Sequence, residues 1–315
     1  MRVSPEISQI VATESLEVQI SAYENLIERV GPEQAQEELY RSGITFDGQS
    51  HLLNHTAGDW LYKEYGVEGL VYCKDYFLSS CYHGFVLNAL ARDDSDAMIG
   101  SMMESCRAAG EARVAPQCAH AIGHGLLAWY GYANLLQALS RCDQISDALP
   151  GFPLFNCHDG IFMENIWGVH SGEPDPNRWV KQGDLVYPCD DPRIGEEYLR
   201  ACWSNQPSLA FQFTQGSIAK VADVCSAVEV GELQYTCFDG LARQVQPLTD
   251  GSIERVLSLC AEFPDAWESE CLLTMSSSYF SLGDRVMPKE ICEHMEGAPQ
   301  QRCFERMKNL EQVYD

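Results

Sequence analysis

The fourteen cysteines constrain this chain more than any other feature, because they fall into seven successive pairs. The two cysteines of a pair are 8 to 15 residues apart, and the pairs recur with a period near 35 residues, apart from one interval of 47 residues. Such a period is typical of repeat proteins. An even count with no cysteine left over favours disulfides formed in an oxidising compartment. The predicted disulfides are Cys73–Cys81, Cys106–Cys118, Cys142–Cys157, Cys189–Cys202, Cys225–Cys237, Cys260–Cys271 and Cys292–Cys303.

Each cysteine pair marks a predicted helical hairpin. Apolar residues recur at helical spacing, for example at Leu135, Ala138 and Leu139, and alternating strand patterns are sparse. We expect the first cysteine near the end of one helix and the second near the start of the next. The sequence therefore predicts an all-α fold, an α-solenoid of about eight hairpins, seven of them closed by a disulfide. The architecture resembles Sel1-type and TPR-type solenoids, although their sequence signatures are absent.

The chain is expected to form a single repeat domain over residues 1–315. Its N-terminal segment has no cysteine, its middle segment carries six histidines, and the segment after that is rich in glycine and proline. We predict a helical cap at residues 1–46 and histidine-bearing hairpins at residues 47–167. A long loop or lid is expected at residues 168–192, followed by scaffold hairpins without catalytic residues at residues 193–315.

Six histidines follow the repeat pattern. Two HxxxH pairs place two imidazoles on one helix face, and the match of His51-x3-His55-x4-Trp60 to His120-x3-His124-x4-Trp129 suggests equivalent helices. Two single histidines follow a second cysteine by one or two residues. Equivalent positions of successive hairpins lie on one face of a solenoid, so we expect convergence on one or two metal ions. The predicted ligands are His51, His55, His83, His120, His124 and His158.

Imidazole ligands suit copper, iron and zinc. In ligand count and helix spacing the six histidines are similar to the coupled dicopper sites of tyrosinase-like and haemocyanin-like proteins, so copper is favoured. Asp59, Asp159 and Glu164 are the nearby carboxylates, and we expect Asp159 or Glu164 to act as a further ligand, an orienting group or a general base. HExxH and paired His-Glu motifs are absent, and a bis-histidine haem would use only two of the six histidines.

These observations predict a metalloenzyme, most simply an oxidoreductase that uses copper or iron on a small-molecule or peptide substrate. One alternative is a zinc-dependent hydrolase at the same site, with Glu164 as base. The other is a non-catalytic solenoid that binds a protein or peptide on its concave face and holds metal as a structural clip or for storage.

The charge balance and the apolar pattern exclude some partners. With 21 basic and 46 acidic residues the net charge is −25, which disfavours nucleic acid as a partner. No apolar run has the roughly 18 residues that a transmembrane helix needs. No signal peptide is recognisable, so we expect the mature form of a secreted or periplasmic protein.

Overall fold

A computed structural model describes residues 5–13, 15–42, 44, 48–77, 79–108, 114–168, 175–229 and 231–314. These residues form sixteen α-helices, some short 3-10 helices and no β-strand, which confirms the predicted all-α fold. Of the predicted long loop, residues 169–174 lie outside the described residues, and residues 175–192 form turns without a helix.

The chain divides into two compact units, Met1–Glu164 and Asn165–Asp315. The boundary falls near the end of α9, so a single repeat domain through both units stays a prediction. The first unit contains α1 Pro5–Val11, α2 Leu16–Val30, α3 Pro32–Arg41, α4 Gly48–Tyr65, α5 Ser80–Leu90, α6 Asp96–Ala108, α7 Val114–Tyr130, α8 Leu135–Ala148 and most of α9 Leu154–Trp167. The second contains α10 Glu196–Phe213, α11 Ile218–Ser226, α12 Gly231–Val245, α13 Ile253–Cys260, α14 Asp265–Ser281, α15 Met287–His294 and α16 Gly297–Tyr314.

All seven predicted disulfides are present, and they account for every cysteine. The second cysteine of each pair lies in a helix of 11 to 18 residues. Five of the first cysteines lie in the preceding α-helix, but Cys73 follows the 3-10 helix Gly66–Tyr72 and Cys189 lies in a non-helical segment. Pro188 and Pro192 lie close to Cys189 on either side, and proline disfavours a helix because it lacks an N–H and crowds the preceding turn.

The helices that carry the second cysteines pack against one another in chain order within each unit. In the first unit α5 contacts α7, and it also contacts α4, which carries no cysteine. In the second unit α10 contacts α12, α12 contacts α14, and α14 contacts α16. Side chains at matching positions of neighbouring helices therefore lie close to each other. On α4, α5 and α7 these side chains include histidines.

Glycines bring the backbones of α4 and α5 into direct contact. A Cβ atom added at Gly58 would lie 2.0 Å from the Cys81 carbonyl oxygen, and one added at Gly84 would lie 2.1 Å from the His55 carbonyl oxygen. No real side chain tolerates such distances, so only glycine fits at both positions. The two helices therefore approach closely at both points, and at the second point His55 faces Gly84, the residue that follows His83.

The same arrangement recurs between α7 and α9. A Cβ atom at Gly123 would lie 2.0 Å from the Cys157 carbonyl oxygen, and one at Gly160 would lie 2.0 Å from the His120 carbonyl oxygen. Two helix pairs thus use reciprocal glycine contacts, and in both pairs a histidine lies at the contact.

Candidate metal centre

Three buried histidines of α5 and α7 form what we call the inner group: His83, His120 and His124. One ring nitrogen from each lies within 4.8 Å of the other two. The Nε2 atoms of His120 and His124 are 3.0 Å apart, and the rings of His83 and His124 stack with centroids 4.6 Å apart. The HxxxH spacing on α7 brings the first two together, and helix packing adds His83.

Carboxylates of α9 hold the Nδ1 atoms of the two α7 histidines. His120 Nδ1 lies 3.2 Å from Asp159 Oδ2, and His124 Nδ1 lies 2.8 Å from Glu164 Oε2. The Tyr132 hydroxyl donates to the other oxygen of Glu164. An ionised carboxylate only accepts hydrogen bonds, so we assign the proton of each imidazole to Nδ1. Both Nε2 atoms then carry lone pairs 3.0 Å apart, and a metal ion or a proton bound between them would relieve their repulsion.

A chain of hydrogen bonds sets the tautomer of His83 in the same way. His51 Nδ1 lies 2.8 Å from the Phe77 carbonyl oxygen and must donate to it. His51 Nε2 is therefore an acceptor, and it receives the Nδ1–H of His83 at 3.2 Å. This leaves His83 Nε2 with its lone pair, and that atom is buried without a hydrogen-bond partner.

Electrostatics around the inner group favour a neutral His83 and a bound cation. Burial, followed by the neighbouring His124, holds the pKa of His83 well below its usual range, so His83 is in the form that binds metal. Asp159 and Glu164 are only 7% and 1% exposed. Buried carboxylates need a compensating positive charge, and a divalent ion among the three Nε2 atoms would neutralise both.

A second set of histidines, the outer group, shares one member with the inner group. It consists of His51, His55 and His83, whose ligand nitrogens also lie within 4.8 Å of one another. The rings of His51 and His55 have centroids 4.7 Å apart, one turn apart on α4. Both side chains are half-buried, whereas His83 is buried.

The sixth predicted ligand, His158, lies in neither group. Its Nε2 is 3.0 Å from Asp143 Oδ1 on α8. His158 follows its cysteine by one residue, whereas His83 and His120 follow theirs by two, and one residue turns a helix by about 100°. Asp159 therefore takes the position on α9 that faces His120.

The packing also corrects the expected equivalence of the two HxxxH pairs. Gly84 contacts the His55 carbonyl and Gly160 contacts the His120 carbonyl, so His55 is the structural counterpart of His120. The HxxxH match pairs His51 with His120 instead. That alignment of the two helices is wrong by four residues, which is about one helical turn. The third candidate carboxylate, Asp59, forms an ion pair with Lys63 on the same helix.

Two groups that orient the histidines carry no sequence signal, Tyr132 and the Phe77 carbonyl, and the same is true of Asp143, which holds His158 outside both groups. Tyr132 and Glu164 are 32 residues apart, and a backbone carbonyl leaves no signature in sequence. The HxxxH and Cys-x-His patterns could not have revealed them, because each acts through a tertiary contact.

Within the described residues, no helix is both long and apolar enough to cross a membrane. No protein-family model, no curated protein and no solved structure matches this chain. Both groups that could hold an ion, as far as the described residues extend, lie in the first unit.

Proposed function

We propose that this chain is a secreted or periplasmic metalloprotein that binds one copper ion through the Nε2 atoms of His83, His120 and His124, and that it is an oxidoreductase. The observation that carries the proposal is the orientation of the inner group. With the tautomers assigned above, each Nδ1 is engaged in a hydrogen bond and each Nε2 carries a lone pair, and one ring nitrogen of each histidine lies within 4.8 Å of the other two.

The ligand set supports a reactive ion rather than a closed structural clip. Three protein ligands leave a coordination position for a substrate or for oxygen, as in catalytic sites. All-imidazole sites suit copper, iron and zinc, and copper binds most tightly among the divalent ions of the series. Copper is therefore our first assignment and iron the second.

Asp159 and Glu164 orient the ligands in this proposal rather than act as general bases. Both oxygens of Glu164 are engaged, one by His124 and the other by Tyr132. A carboxylate on Nδ1 fixes the ring and raises the basicity of Nε2, which strengthens metal binding.

The rest of the chain serves as scaffold in this proposal. The chain-order packing of the second-cysteine helices supports an α-solenoid in which neighbouring hairpins present their ligands to one another. Seven disulfides fit an oxidising compartment outside the cytoplasm.

Metal analysis and copper titration test the binding half of the proposal. We expect one tightly bound Cu²⁺ per chain, with nitrogen hyperfine structure in its electron paramagnetic resonance spectrum. His124→Ala should abolish tight binding, and Glu164→Gln should weaken it about 10–100-fold because the carboxylate partner is lost. The matched control is His294→Ala, an exposed histidine at the end of α15 whose Nδ1 contacts the Glu290 carbonyl.

Two outcomes would contradict the proposal. Unchanged affinity in His124→Ala would refute the inner group as the site. A protein that selects zinc over copper, or a copper-loaded protein that consumes no oxygen in the presence of ascorbate, would refute the oxidoreductase assignment and leave the binding site intact.

A further inference from the structure

We infer that the outer group is an uptake site, which captures the ion from solution and passes it to the inner group through His83. This inference rests on metal binding by the inner group and adds the route by which the ion arrives. Three features support it: a gradient of exposure, the shared ligand, and a gradient of ligand strength.

Exposure decreases from the outer to the inner histidines. His51 and His55 are half-buried residues, although the Nε2 atom of His55 is itself buried, whereas the three inner histidines are only 3% to 9% exposed. An ion arriving from solution would therefore meet the half-buried residues of α4 before the buried histidines of α7. The net charge of −25 attracts cations toward the chain in general, and the α4 pair places two imidazole rings one helical turn apart, with centroids 4.7 Å apart.

His83 links the two groups and can serve only one of them at a time. A neutral imidazole has a single lone pair, on Nδ1 or on Nε2. With the proton on Nδ1, His83 donates to His51 and offers Nε2 to the inner group. With the proton on Nε2, it offers Nδ1 to the outer group. In the transfer Nδ1 releases the ion and gains a proton while Nε2 loses one, so the charge of His83 does not change.

Ligand strength gives the transfer its direction. The Nδ1 partners of His120 and His124 are carboxylates, which raise the basicity of the metal-binding nitrogen. The Nδ1 partner of His51 is the neutral carbonyl of Phe77. The inner group therefore binds the ion more tightly, and at equilibrium the ion occupies the inner group.

His55→Ala separates uptake from final binding. The substitution removes a ligand of the outer group and leaves the His51–His83 hydrogen bond in place, and alanine is well tolerated inside a helix. We expect unchanged stoichiometry and unchanged equilibrium affinity for Cu²⁺. In stopped-flow mixing with Cu²⁺, the loading rate should fall about tenfold or more, the low end of the rate gains that a cation-collecting cleft provides.

Two further variants make the result interpretable. His294→Ala should load at the wild-type rate, which controls for the loss of any histidine. His124→Ala should lose tight binding yet keep a fast, weak and reversible phase, because the outer group is intact.

The outcomes distinguish the two proposals. Wild-type loading kinetics in His55→Ala, two tightly bound ions in the wild type, or no fast phase in His124→Ala would each overturn the uptake route and leave the inner site standing. Undiminished tight binding in His124→Ala would overturn the inner site itself.

Discussion

Replacing Gly160 with alanine should push α9 away from α7 and weaken both folding and metal binding. The new Cβ would lie 2.0 Å from the His120 carbonyl oxygen, whereas ordinary contact begins at 3.4 Å, so the helices must separate by about 1.4 Å. Overpacking of this kind costs about 1–3 kcal/mol, and the backbone contact places it in the upper part of that range. The better helix propensity of alanine returns about 1 kcal/mol, which leaves a loss of about 1–2 kcal/mol.

The effect on the metal should exceed the effect on the fold. The contact of His124 Nδ1 with Glu164 is 2.8 Å and that of His120 Nδ1 with Asp159 is 3.2 Å. A separation of about 1.4 Å breaks both hydrogen bonds, since a donor and acceptor beyond about 3.5 Å no longer bond. We therefore expect copper affinity to fall about 10–100-fold or more.

Urea unfolding of the metal-free protein and a competitive copper titration would measure the two effects. Gly100→Ala in α6 is the matched control, because its Cβ would meet only the Leu149 Cδ2 atom at 3.6 Å. That variant should keep its copper affinity and gain up to about 1 kcal/mol in stability. If Gly160→Ala is as stable as Gly100→Ala and binds copper as the wild type does, the close-approach reasoning is refuted.

Two other predictions concern pH and the disulfides. Because the pKa of His83 is lowered on folding, the metal-free protein should hold its stability above the ordinary histidine pKa of 6.5 and lose it as the pH falls below that value. Urea midpoints at about pH 7.5 and about pH 5 should therefore differ more in the wild type than in His83→Gln, and equal differences would contradict the assignment. Replacing both Cys292 and Cys303 by serine should cost about 2–4 kcal/mol in unfolding experiments. Its copper stoichiometry should not change, since the inner group lies wholly in the first unit, and loss of copper from the folded variant would show otherwise.

The sequence predicted the features that depend on nearby residues. Helices and disulfides follow from apolar spacing and from cysteines 8 to 15 residues apart, so both were predicted correctly. The hairpins at Cys73 and Cys189 lack a regular first α-helix, because a 3-10 helix replaces it in one and prolines flank the cysteine in the other.

The relative placement of the helices could not be predicted from the histidine pattern. An HxxxH motif fixes which two residues share a face, but the helix register depends on backbone contacts at Gly84 and Gly160. His158 is a predicted ligand, but it lies beside Asp143, because its position around the helix differs from that of His83 and His120. A difference of one position after the cysteine moves a side chain by about 100° around the helix.

The two buried carboxylates beside the inner group have a consequence for the reduction potential of an ion bound there. Two carboxylates that carry one negative charge each would be balanced by one doubly charged ion, which would make the buried cluster electrically neutral. Reduction to a singly charged ion would leave one negative charge uncompensated in a medium of low dielectric constant. A redox-active ion bound there would therefore be stabilised in its oxidised form, and its reduction potential would be lowered. An incoming electron should draw in a proton, since protonation of one carboxylate restores neutrality, so electron transfer at this centre should depend on pH.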